Sequence, residues 1–233
     1  MTAAEAREKL KVLASPEVAA MSAKFFKTGP GQYGAGDVFI GVRVPALRKL
    51  ARDFRDLPLA EVEDLLHSPI HEERLLALLI LVEVAAQADE GHKQTIFHFY
   101  MSHTKFINNW DLVDSSAPAL VGAYLTDKSR NPLMKLAKSN DLWERRIAII
   151  ATQHFIRQGE FEDTLKISQT LLSDTEDLIH KATGWMLREV GKRHEPTLTT
   201  FLEQHGTVMP CTMLRYAIER LSPKQRQEFL MRK

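Results

Sequence analysis

Helical periodicity repeated from end to end constrains this chain more than any other feature. Apolar residues recur at spacings of three and four, and strand-like alternation is nearly absent. The one strand-like run, Val38-Phe39-Ile40-Gly41-Val42, is isolated inside a loop and cannot build a sheet. Ser15-Pro16, Ser68-Pro69 and Ser222-Pro223 each set a capping hydroxyl before a first-turn proline. Asp141 with Glu144, Ser173 with Glu176 and Ser222 with Gln225 have capping-box spacing. Together these signals predict helices near 3–14, 16–27, 45–55, 59–67, 70–87, 90–103, 109–126, 131–139, 142–158, 160–172, 175–192, 196–205, 210–221 and 223–231. The connections are short, so neighbouring helices should form antiparallel hairpins. The expected class is all-α.

A weak repeat runs through the pattern. Arg74, Asp111, Arg146, Lys181 and Arg215 recur at roughly 34 to 37 residues, the period of two-helix solenoid repeats. Each opens a helix, and Arg74, Arg146 and Arg215 lead into apolar runs. Two readings stand side by side. In one, five charges project from a concave face suited to a long partner. In the other, they solvate helix ends. The repeat predicts one domain over 1–233, a superhelical solenoid of HEAT-like hairpins with a concave groove.

Composition narrows the function classes. The chain has 31 Lys and Arg against 30 Asp and Glu, so it lacks the basic balance that usually marks a nucleic-acid binder. Any basic surface must come from sorting charges between faces. No segment has the roughly 20 apolar residues of a membrane span, and the start of the chain does not resemble a signal peptide. The single cysteine, Cys211, excludes an intrachain disulfide, which suits a cytoplasmic protein; a small core residue is its expected role. The nine histidines show no HExxH-like ligand spacing, so no metal site is expected.

Three stretches carry chemistry. In Asn108-Asn109-Trp110-Asp111-Leu112-Val113-Asp114, Asn109 can cap a helix, and Trp110 and Asp114 share one face four residues apart. Trp110 as core and Asp114 as a dipole partner is the plain alternative. Lys181, Trp185, Arg188 and Lys192 fall on one helix face, an aromatic ring among three cations. That face suits phosphates and a base or sugar, or else Lys and Arg stems lying over a partly buried ring. Beside it, Gly184 permits close approach by another group. In Trp143-Glu144-Arg145-Arg146, Trp143 reads as packing, and only one of the two arginines can face a groove. The Gly-rich stretch Thr28 to Asp37 lacks GK[ST] and reads as a flexible loop. Arg43, Arg48 and Lys49 open a helix whose N-terminus can hold a phosphate.

Taken together, Phe39 to Arg48, Trp110 to Asp114, Trp143 to Arg146 and Lys181 to Glu189 resemble the AlkD-type alkylpurine DNA glycosylases, over about residues 20–220. The resemblance implies a curved HEAT-like solenoid and double-stranded DNA with alkylated purines as substrate. It implies a monofunctional enzyme, with no cofactor, metal or lysine Schiff base. By position, Asp114 matches the family's catalytic aspartate, Trp110 and Trp185 its cleft tryptophans, Arg146 its cleft arginine and Arg188 a DNA-backbone arginine. Lys181 and Arg215 join them from the repeat phase, and Arg43, Arg48, Lys49 and Arg145 as further DNA contacts. The chain is expected to act as a monomer in the bacterial cytosol or nucleoid, without membrane or obligate protein partner. Two departures stand out: the family's best-known form has a shorter connection at Thr28 to Asp37, and a tyrosine near Phe25. Related subfamilies bind branched DNA with little glycosylase activity, which makes non-catalytic DNA binding the alternative.

Overall fold

The computed structural model describes residues 1–232. It is all-α, and its only β pairing among the described residues is an isolated bridge between Val38 and Ile70. The chain divides into two compact units that meet at Ser116 and Ala117 in the sequence. No helix among the described residues is long and apolar enough to cross a membrane.

The first unit holds α1 (Ala3–Leu13), α2 (Pro16–Phe25), α3 (Val44–Asp53), α4 (Leu59–Leu66), α5 (His71–Ala85), α6 (Glu90–Ser102) and α7 (Trp110–Ala117). Its centre is α5, which α3, α4 and α6 all contact. Every residue from His71 to Leu81 is buried. A helix apolar nearly all round can only be a core helix, and each fully buried Leu or Ile contributes about 1.5–3 kcal/mol.

The strand-like run is held at the start of α5. Val38 N–H donates to the Pro69 carbonyl (3.3 Å), and His71 N–H donates to the Val38 carbonyl (2.8 Å). The buried Glu72 carboxylate accepts from the backbone N–H groups of Ile40, Gly41 and Val42 at 3.1, 2.7 and 3.2 Å. Gly41 has φ of +83°, and a Cβ there would lie 2.0 Å from the Ser15 carbonyl oxygen, so only glycine fits between this segment and α2. These bonds explain a shifted start. Ser68-Pro69 does not cap α5; Ile70 occupies the N-cap, and Ser68 Oγ accepts from Ile70 N–H (3.0 Å).

The second unit holds α8 (Asn131–Leu136), α9 (Leu142–Ala151), α10 (Gln153–Arg157), α11 (Glu162–Thr170), α12 (Asp177–Arg193), α13 (Glu195–His205), α14 (Cys211–Ala217) and α15 (Pro223–Met231). Here α12 is central, against α9, α11, α13 and α14. Leu187, Leu198, Phe201, Met213 and Leu214 build the core between α12, α13 and α14. Gly184 lets α14 approach: a Cβ there would lie 2.5 Å from both the Met213 carbonyl oxygen and Tyr216 Cβ. The close neighbour anticipated at this glycine is therefore a packed helix.

Several expectations need correction. The helix expected over 109–126 passes from α7 into a π-turn at Pro118–Gly122. Pro118 has no N–H to give the Asp114 carbonyl, and Ala123 N–H instead reaches the Pro118 carbonyl, five residues back, at 3.0 Å. The helix expected over 142–158 is interrupted at Thr152, whose hydroxyl donates to the Ile149 carbonyl (2.7 Å). Ser173 and Glu176 form no capping box: Glu176 is itself the N-cap of α12, without a side-chain bond. The box at Ser222 and Gln225 is present. Cys211 is exposed at the first residue of α14 rather than buried in the core.

Candidate functional site

The start of α7 carries the first candidate pair. Asn109 is fully buried, and its side-chain oxygen accepts from the Trp110 N–H (2.8 Å). Trp110 and Asp114 follow, four residues apart and both half-buried. Trp110 stacks nearly parallel on Phe26 (centroids 5.1 Å, planes 15° apart) and meets the edge of Phe25 at 5.9 Å. Phe25, by contrast, is 66% exposed. Asp114 lies close enough to Tyr100 that its charge, after burial, helps push the phenol up; the Tyr100 hydroxyl bonds with Ser116 Oγ at 3.0 Å.

Beneath α7 lies a network that the spacing of residues does not announce. Asp37 ends the Gly-rich loop and accepts three bonds: from Arg74 Nη2 (2.5 Å), His71 Nδ1 (3.1 Å) and Asn109 Nδ2 (2.8 Å). On its other side, His71 Nε2 donates to Asp111 at 2.8 Å. Both imidazole nitrogens thus face carboxylates, which suits the doubly protonated ring. Burial alone would lower the His71 pKa, but bonds to Asp111 and Asp37 outweigh it and raise it to about 9. Burial likewise acts to raise Asp37, yet bonds from His71 and the charge of Arg74 hold it below its ordinary value. Two cations and two carboxylates balance, so the cluster can be buried. Arg74 and Asp111 neither project from a face nor merely solvate helix ends, the two readings of the repeat; they tie the loop and α5 to the start of α7.

A cleft of about 500 Å³ opens beside these rings, lined by Phe25, Phe26, Phe39, His71, Asp111 and Arg43 among others. Asp114 is not part of its lining.

In the second unit, Trp185 is half-buried on α12. The cations around it are paired. Lys181 Nζ lies 2.7 Å from Asp177, Arg188 binds Glu219, and Lys192 Nζ lies 2.9 Å from Glu189. Burial pushes Glu189 up, but Lys192, the Trp185 indole and Arg188 together bring it below its ordinary value. The face is mixed in charge rather than purely basic. Arg146 is buried, with Nη1 donating to the Leu178 carbonyl (2.6 Å). Its neighbour Arg145 holds Asp174 through Nε (2.6 Å) and the Ser139 carbonyl through Nη1 (2.9 Å). Trp143 is buried, a packing residue.

Arg43, Arg48, Lys49 and Arg215 are exposed and make no ion pair among the described residues. Arg43 occupies the N-cap of α3 with no side-chain cap bond. Lys49 lines a different cleft, between α1 and α3, so the cations of α3 do not share one face.

The class defined by these observations is an all-α array of helical hairpins that presents a braced Trp–Asp pair in one unit and a Trp–Arg face in the other. No curated protein matches the sequence. The family model for the DNA alkylation repair enzyme matches residues 6–221, crossing the boundary between the units. Among solved structures, the chain resembles a predicted DNA alkylation repair enzyme from Enterococcus faecalis, at 18% identity and a TM-score of 0.70, over 90% of this chain and 97% of that one. The likeness bears out the all-α hairpin fold. The chain belongs to the DNA alkylation repair enzyme family. Its role therefore lies in DNA repair, with DNA as the substrate.

Proposed function

We propose that this protein is a monofunctional DNA glycosylase that hydrolyses the N-glycosidic bond of N3- or N7-alkylated purines in duplex DNA. The observation that carries the reading is the braced start of α7, where Trp110 and Asp114 share one face over the Asp37–His71–Asp111 network. An alkylated purine is already cationic and is a good leaving group. Its departure leaves an oxocarbenium-like sugar. A carboxylate fixed beside that sugar stabilises the developing charge and orients the attacking water; Asp114 takes this role. Trp110 offers an electron-rich face to the cationic nucleotide, and Trp185 in its own unit offers a second aromatic face to DNA.

Bracing matters because electrostatic stabilisation works only when the charge is held in place before the reaction. The family model spans residues of both units, and each unit is read as contributing to DNA binding. The exposed cations Arg43, Arg48, Lys49 and Arg215 would contact phosphates. Lys181 and Arg188 would do so by exchanging their carboxylate partners for phosphate. Arg145 and Arg146 already make internal bonds, and their contribution is to hold the α9–α12 region that carries Trp185.

The test is release of 7-methylguanine and 3-methyladenine from methylated duplex DNA. Release by the wild type and its loss in Asp114→Asn, with DNA binding kept, supports the enzyme. Salt-sensitive DNA binding without release would instead favour the non-catalytic DNA-structure binder.

A further inference from the structure

One cluster in the first unit belongs to none of the residues assigned to DNA. Glu63 and His67 lie four residues apart at the end of α4, and His103 follows the last turn of α6. One ligand atom from each of the three lies within 4.8 Å of the other two. Glu63 Oε1 is 3.0 Å from His103 Nε2 and 4.0 Å from His67 Nε2.

The orientation of His103 is set by its surroundings. Its Nδ1 lies 2.7 Å from the Phe99 carbonyl oxygen, which can only accept, so Nδ1 carries a proton. Nε2, the nitrogen left to face outward, lies 3.0 Å from the Glu63 carboxylate. A backbone carbonyl on the far nitrogen is also the usual arrangement that orients a metal-binding imidazole.

The rings are held in place by packing. His103 stacks on Phe99 (centroids 4.3 Å), and His67 lies against Phe106 (4.0 Å). Both histidines are the C-caps of their helices, so the negative ends of two helix dipoles face the cluster and favour a cation. Tetrahedral ligands at about 2.0–2.1 Å from an ion stand roughly 3.3 Å apart. The observed spacings bracket that value, and small rotations of the half-buried Glu63 and exposed His67 side chains close the difference.

We propose that Glu63, His67 and His103 form a binding site for a divalent transition-metal ion of the zinc class. Two imidazoles and one carboxylate are a zinc donor set with a fourth position left for water. The hard, oxygen-preferring magnesium ion is a poor match. The ion clips the end of α4 to the end of α6 and stabilises the first unit by mass action.

The experiment uses full-length, tag-free protein stripped with chelator and titrated with zinc sulfate near neutral pH by calorimetry. Cobalt chloride provides a visible spectrum as a second readout. The expected result is one equivalent of zinc, a cobalt spectrum of tetrahedral type, a raised Tm with zinc, and no response to magnesium. Exposed His67→Ala should bind at least about tenfold more weakly, and His67→Ala/His103→Ala should bind none, while His92→Ala should match the wild type. Circular dichroism of each variant separates loss of the site from loss of fold. If wild-type protein takes up no zinc, or a folded double variant binds as tightly as wild type, the proposal is overturned.

Discussion

The charges at the repeat phase fare differently in the two units. In the first, Arg74 and Asp111 are drawn inward to Asp37 and His71 and join a buried, charge-balanced network. In the second, burial falls along the series: Arg146 is buried, Lys181 is half-buried beside Asp177, and Arg215 stands in solvent. A shared sequence phase places side chains at equivalent helical turns, but the neighbours decide what each does. Where a loop supplies a carboxylate, as Asp37 does, the charge becomes a strut. Where none is supplied, as at Arg215, it stays available to a partner.

The sharpest way to break this comparison is His71→Ala, which leaves two carboxylates facing a void. The expected loss is about 3–5 kcal/mol in urea unfolding; a loss under about 1 kcal/mol would mean that the network is not a strut. The same imidazolium gives a pH signature. Its folded pKa of about 9 exceeds its ordinary 6.5, so its stabilisation is full below pH 6.5 and is lost as pH rises through 9. Tm measured against pH should fall over that window in the wild type and stay flatter in His71→Asn. Asp37, shifted downward, adds stability above its ordinary 3.8 that is lost on acidification.

In the second unit, Gly184→Ala sets a Cβ against the backbone of α14 and should cost about 1–3 kcal/mol, read by chemical denaturation. The smallest effects belong to the outward charges. Lys181→Ala and Arg215→Ala should change stability by no more than about 0.5 kcal/mol, yet each should lower the salt dependence of DNA binding by about one phosphate contact. A large stability loss in either would erase the distinction between the units.

Much of this was legible beforehand. Caps and apolar spacing mark the helices to within a few residues, because those signals are local. The breaks at Pro118 and Thr152 are harder to see, since each depends on where a freed carbonyl or a hydroxyl finds its partner. The Trp110–Asp114 pair is visible as an i,i+4 spacing, and Asn109 as its cap. The support beneath it is not: Asp37, His71 and Asp111 are brought together from three distant segments, and nothing in the local sequence links them. Glu63 with His67 has helical spacing, but His103 comes from another helix, so no ligand motif appears. Ion pairing across segments is equally hidden in the sequence. Arg188 looks like a free cation until Glu219, on a different segment, is placed beside it.

The most direct test of the central claim is single-turnover release of 7-methylguanine from methylated duplex DNA by wild type and Asp114→Asn, with binding measured on the same preparations. The account predicts release by wild type and a loss of about 10²–10³-fold or more in the variant at unchanged DNA affinity. Equal release by both proteins would contradict it.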